Sequence, residues 1–76
     1  MIVLDTNVLS ELIKITPSPQ VVEWCNSYPE VELYLTSITQ ADAQIAAIAR
    51  AYGAVIATRN TSDFEHCGVK VVNPWG

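Results

Sequence analysis

Met1-Ile2-Val3-Leu4-Asp5-Thr6-Asn7-Val8-Leu9-Ser10-Glu11-Leu12 opens the chain, and its first seven residues decide the fold. Four apolar residues run directly into a carboxylate, a hydroxyl and an amide. Apolar runs of this kind form buried strands, and Asp is depleted from strands, so Asp5 marks where the first strand stops. Val8, Leu9, Leu12 and Ile13 then recur at helical spacing, with Thr6 or Asn7 as cap, so the spacing predicts a helix over 7–15. A buried strand followed at once by a helix is the opening of an α/β sheet, whose sites lie at the carboxyl ends of its strands.

The remaining elements extend that pattern. Ser18-Pro19 opens a second helix running to about Asn26, in the usual order of cap and first-turn proline. Val31 to Ser37 alternates apolar and polar residues as a strand does. Ile38 to Tyr52 reads as the strongest helix, capped by Thr39, stopped by Gly53 and apolar enough on several sides to be buried. Ala54–Thr58 reads as a third strand, Arg59–Cys67 as a polar connection or short helical turn, and Val69–Val72 as a fourth strand. The order predicts an α/β sandwich on a mostly parallel sheet, in one domain spanning 1–76.

Composition narrows the chemistry. The 76 residues are half apolar, whereas a chain this short buries only about 60% of its unfolded surface. The excess points to an oligomer, a bound partner or a domain that has lost a part. With a net charge of −4 and only Lys14, Arg50, Arg59 and Lys70 as cations, the chain is not one that holds nucleic acid mainly through basic side chains. Carboxylates that bind divalent cations still allow an acidic nuclease. Cys25 and Cys67 have no metal-site spacing and are expected as unpaired packing residues of a reducing cytoplasm. No stretch approaches the roughly 18 apolar residues of a membrane span, and no basic segment precedes the first apolar run, so no membrane association is expected.

Three acids occupy comparable topological positions: Asp5 after the first strand, Asp42 in the first turn of the helix after the second, and Asp63 shortly after the third. In a parallel sheet all three converge on one edge. Taken singly, Asp5 and Asp42 also suit the start of a helix, and Asp63 in Asn60-Thr61-Ser62-Asp63 suits a turn. Taken together, converging carboxylates suit Mg²⁺ or Mn²⁺ and metal-assisted phosphodiester hydrolysis. His66 lacks ligand neighbours and reads as a surface or packing residue, Trp24 and Trp75 read as core or interface anchors, and Glu11 reads as part of a solvated face.

These segments resemble the PIN-domain ribonucleases. The opening run, Leu33-Tyr34-Leu35-Thr36-Ser37-Ile38-Thr39, Ala41-Asp42-Ala43-Gln44-Ile45-Ala46-Ala47-Ile48-Ala49 and Ala57-Thr58-Arg59-Asn60-Thr61-Ser62-Asp63-Phe64 are similar above all to the VapC- and FitB-like toxins of toxin–antitoxin pairs. The resemblance implies a three-layer PIN-like sandwich and an Mg²⁺- or Mn²⁺-dependent endoribonuclease. It further implies a cytoplasmic homodimer restrained by a cognate antitoxin. By motif it assigns metal-binding roles to Asp5, Asp42 and Asp63 and supporting roles to Thr6 and Asn60.

One departure stands out. Such toxins run to roughly twice this length as ordinary domains, and the shortfall falls between the second strand and the Asp42 helix. Thr39-Gln40-Ala41-Asp42 aligns either with the family's early Thr-x-Ala-Glu segment or with its later Ala-Asp-Ala-Gln segment, so Asp42 stands for two family acids and one carboxylate is missing. A lost helical layer leaves apolar faces uncovered. Two other activities fit parts of this pattern: a silent remnant that only binds an antitoxin or a toxin subunit, and phosphoryl transfer through Asp5. The latter lacks the Asp-x-Asp of haloacid dehalogenase-like phosphatases, having Asp5-Thr6-Asn7.

Overall fold

A computed structural model describes residues 1–35 and 41–76. In chain order they form β1 (Ile2–Leu4), α1 (Thr6–Leu12), α2 (Pro19–Asn26), β2 (Leu33–Leu35), α3 (Asp42–Tyr52), β3 (Val55–Ala57) and β4 (Val71–Val72). Short 3₁₀ turns cover Glu30–Glu32 and Thr61–Asp63. The four strands lie in the order β2-β1-β3-β4, and every pairing is parallel.

The strand side chains alternate between the two faces of the sheet, as the two-residue period requires. Val3 and Ile56 pack with Ile45, Ala46 and Ala49 of α3 and with Phe64. Ile2, Leu4 and Ala57 pack on the other side with Val8 of α1 and with Val21 and Cys25 of α2. The molecule is therefore an α/β sandwich of three layers, helix, sheet and helices, as the sequence led us to expect.

Local signals place most element ends. Pro19 sits in the first turn of α2, and Gly53 closes α3 in the left-handed region at φ 60°, where a side chain carries a steric cost. Several boundaries differ from expectation: β3 keeps only Val55–Ala57 of the expected 54–58, and β4 only Val71–Val72 of 69–72. The alternation from Val31 does not begin a strand: Glu30–Glu32 turns as a 3₁₀ segment and β2 starts at Leu33. In α1 the cap is Asp5, whose side chain accepts from the Thr6 N–H, so the helix starts one residue before Asn7 and ends at Leu12. Ala41 is extended and stands at the N-cap of α3, with Gln44 Oε1 accepting its N–H at 3.2 Å. The expected cap Thr39 and the expected strand end at Ser37 lie outside the described residues.

α3 is buried on one side only. Ile45, Ala46 and Ala49 face the sheet, whereas Ala43, Ala47, Ala51 and Tyr52 are exposed, because a single sheet face covers about one stripe of a helix. On the edge strand β2, Leu35 retains 64% exposure. These apolar surfaces stay uncovered although helices pack on both faces of the sheet. Both cysteines are free, Cys25 buried and Cys67 half-buried. Among the described residues no helix is long and apolar enough to cross a membrane.

Candidate active site

The register of the sheet builds the site around Asp5. Leu4 pairs with Ala57, so the next residues of both strands, Asp5 and Thr58, leave the sheet side by side at its carboxyl edge. The Asp5 N–H donates to the Ala57 carbonyl (2.9 Å), and the Thr58 N–H to the Val72 carbonyl (2.9 Å). Asp5 is only 4% exposed and Thr58 is fully buried.

Burying a carboxylate is costly unless donors surround it. Asp5 Oδ1 accepts from the Thr6 N–H (2.8 Å) and hydroxyl (3.3 Å). Oδ2 accepts from the Thr58 hydroxyl (2.7 Å) and from Asn7 Nδ2 (3.3 Å). Asn7 Nδ2 also donates to Thr58 Oγ1 (3.1 Å), and its Oδ1 accepts the Arg59 N–H (3.1 Å). The carboxylate is thus fixed in orientation before any ligand arrives.

Asp42 and Asp63 approach from two other elements and remain exposed. Asp42 is the first residue of α3, and Asp63 closes the 3₁₀ turn after β3. Partial desolvation pushes the Asp42 carboxyl above the usual aspartate range, and the negative charges of Asp5 and Asp63 push it the same way. The Asp42 carboxyl therefore feels the other two acids across this edge. Among the described residues, however, no three His, Cys, Asp or Glu side chains stand close enough to share one ion. The donor set still fits a hard divalent cation in kind, being all carboxylate oxygen with hydroxyl and amide oxygens beside it.

The two supporting residues differ. Thr6 bonds to Asp5 through both its backbone and its hydroxyl. Asn60 acts through its backbone N–H, which donates to Thr58 Oγ1 at 3.1 Å. Sequence reasoning missed Thr58 and Asn7, the residues that tie Asp5 to β3. Aligning the ends of two parallel strands, Leu4-Asp5 against Ala57-Thr58, is the signal that finds Thr58.

Glu11 is not part of a solvated face. It is 7% exposed, and it joins α1 to the start of α2: Oε1 accepts from Lys14 Nζ (2.9 Å) and Oε2 from the Ser18 N–H (2.8 Å). The Lys14 and Ser18 hydrogen bonds hold its carboxyl below the ordinary glutamate range, with the charges of Lys14 and Arg59 adding to them. A depressed folded-state pKa stabilises the fold above the unfolded value, and that stability is lost as pH falls through the folded one. Glu11→Gln is expected to lower the Tm at neutral pH and to converge on the parent as pH drops below about 4.5. An equal difference at all pH values would show that the carboxylate's charge is not what matters. His66 is a surface residue, with 93% of its side chain exposed.

Comparison with known proteins gives this architecture a class. No protein-family model matches the sequence. The chain is 28% identical over 137 aligned positions to the VapC ribonuclease Y4jK of Sinorhizobium fredii, in an alignment spanning 99% of this chain and 98% of that protein. It is likewise 28% identical over 137 positions to the plasmid stability protein StbB of Pseudomonas syringae pv. tomato, spanning 99% of each. Over 45 residues, 59% of this chain and 32% of the relative, it is 42% identical to toxin FitB of Neisseria gonorrhoeae.

Among solved structures, the FitAcB crystal structure from Neisseria gonorrhoeae superposes with a TM-score of 0.85 at 25% identity, covering 99% of both chains. FitAB bound to an IR36 DNA fragment gives 0.84 at 23% identity, covering 100% of this chain and 96% of that one, a likeness of fold. The fold and its acidic edge define a PIN-type α/β domain. More narrowly, its sequence resembles those of the VapC ribonuclease Y4jK and toxin FitB. Since 76 residues cannot fill 137 positions, at least 61 positions of the end-to-end Y4jK alignment have no counterpart here, and the shortfall is internal.

Proposed function

We propose that this chain is the toxin of a toxin–antitoxin pair, a cytoplasmic, homodimeric endoribonuclease that works at the carboxyl edge of its sheet with Mg²⁺ or Mn²⁺. The observation that carries this reading is Asp5, a buried carboxylate held by three neighbouring side chains and one backbone N–H at the edge where Asp42 feels two further negative charges. A carboxylate oriented this firmly among like charges calls for a counter-cation. The name of Y4jK, a VapC ribonuclease, supports RNA as substrate, and the FitAcB complex supports an antitoxin as partner.

On this reading Asp5 holds the ion and Asp42 and Asp63 are its candidate further ligands, although the three do not stand close enough to share one ion as they are placed. Bound there, a divalent ion supplies a water of lowered pKa and neutralises charge on the phosphate oxygens. The chain's own contribution is orientation. Thr58, Asn7 and Thr6 fix both oxygens of Asp5, α3 brings Asp42 in from one side, and burial of Phe64 anchors the turn that carries Asp63.

Purified chain incubated with RNA is expected to cleave it in Mn²⁺, to stop when the ion is chelated and to resume when it is restored. A second reading has its own observation: at least 61 internal positions of the relatives are absent and no three acids among the described residues share one ion. On that reading the chain is a silent remnant that binds an antitoxin or a toxin subunit. Folded chain that co-purifies with such a partner and never cleaves RNA establishes the second reading and removes the first.

A further inference from the structure

Of the four cations in the chain, one is built into the acidic edge. Arg59 follows Thr58 directly, and its backbone N–H donates to Asn7 Oδ1, so its root belongs to the same hydrogen-bond network as Asp5. Its guanidinium lies over the Trp75 ring, 5.1 Å from the centroid. Trp75 is held in turn: its N–H donates to Asn73 Oδ1 at 2.9 Å, and the intervening Pro74 is buried. The chain end that follows β4 is thereby folded into a platform under an arginine.

The guanidinium is felt electrostatically at Glu11 of α1. Among the described residues it forms no ion pair; Lys14, by contrast, is paired with Glu11. Stacking on a ring leaves the edge of a guanidinium, with its fork of N–H donors, free for an oxyanion.

We infer that Arg59, held over the Trp75 ring, contacts a phosphate of single-stranded RNA adjacent to the one at the acids. The inference rests on the ribonuclease reading above and adds how an acidic chain grips a polyanion. A strand that brings its reacting phosphate to the acids meets repulsion there until a cation arrives. A contact one phosphate away supplies attraction without displacing that cation. Trp75 is a positioning residue that acts through Arg59.

The test is binding of a short labelled single-stranded RNA, followed by fluorescence anisotropy with the metal chelated, so that turnover does not intervene. Arg59→Ala is expected to weaken binding about tenfold and to reduce the slope of log affinity against log salt by about one. Arg59→Lys keeps the slope and recovers part of the affinity, since it retains the charge and loses the planar fork. Trp75→Leu costs about threefold with the slope retained. If Arg59 only fastens the chain end to the sheet, Arg59→Ala lowers the Tm and leaves RNA affinity and salt slope at parental values, which overturns the proposal and leaves the ribonuclease reading standing. If folded parent protein neither binds RNA with the metal chelated nor binds or cleaves it in Mn²⁺, both fall together.

Discussion

Asp5→Asn is expected to abolish saturable Mn²⁺ binding while leaving a folded chain. The substitution isolates charge because asparagine serves nearly as well as aspartate at a helix N-cap, and the N-cap of α1 is the structural position Asp5 occupies. Its carbonyl oxygen can keep the Thr6 N–H bond that Oδ1 makes now (2.8 Å). The new amide then faces the Thr58 hydroxyl and Asn7 Nδ2, both of which donate to Oδ2 at present. Thr58 can turn its hydroxyl proton away, but its oxygen already accepts from Asn7 and from the Asn60 N–H. One strained donor pair costs about 1–3 kcal/mol, which lowers the Tm without unfolding a stable domain.

The loss to the cation is larger. Removing an outer-shell partner of a metal ligand costs about 10–100-fold in affinity; removing the one buried, oriented carboxylate of the group is expected to exceed about a hundredfold. Calorimetric titration with Mn²⁺ on parent and variant, with circular dichroism on both, reads the outcome. Parental affinity in folded Asp5→Asn protein would falsify the role given to Asp5 and shift the ion to the exposed pair, Asp42 and Asp63.

How much of this was legible in the sequence depends on how local each signal is. The start of α2 at Pro19 and the end of α3 at Gly53 are set by the residues themselves, through a fixed φ in one case and a left-handed φ in the other. The convergence of Asp5, Asp42 and Asp63 follows once the strands are parallel, which a strand–helix–strand order requires. Glu30-Val31-Glu32 misled because its alternation has the period of a strand, yet it precedes the strand, and Val31 stays 90% exposed in a 3₁₀ turn. Glu11 misled for the opposite reason: its partner Ser18 is seven residues away, beyond the end of α1 at the N-cap of α2, where the spacing within one helix no longer applies. The Thr58–Asn7–Asp5 network joins residues 51 to 53 positions apart, and the Arg59–Trp75 pair joins the end of β3 to the segment after β4. Such contacts exist only after the sheet has assembled, so composition and periodicity carry no trace of them.

Phe64→Ala is expected to bring the chain to the edge of unfolding, and with it the site. Phe64 is fully buried and is the largest such side chain; it packs with Val3, Ile45, Ile56 and the alanines that line α3. Truncating a buried phenylalanine costs about 3–5 kcal/mol, from lost transfer energy and from the cavity left behind. At about 0.05–0.15 kcal/mol per residue, a chain of 76 residues holds about 4–11 kcal/mol in all. The substitution therefore removes a large fraction of the total, and urea denaturation is expected to show a midpoint shifted sharply down or no folded baseline.

The exposed Val31 supplies the control, since Val31→Ala is expected to stay within about 0.5 kcal/mol of the parent. The consequence reaches the chemistry through one peptide bond. Asp63 precedes Phe64, whose N–H donates to the Thr61 carbonyl and whose carbonyl accepts from the Cys67 N–H, so the ring's burial fixes the turn that aims Asp63 at the edge. A Phe64→Ala protein stabilised enough to stay folded, by osmolyte or lower temperature, is then expected to bind Mn²⁺ more weakly than the parent. Full stability and parental Mn²⁺ affinity together would detach the core from the site and leave Asp63 positioned by its exposed turn alone.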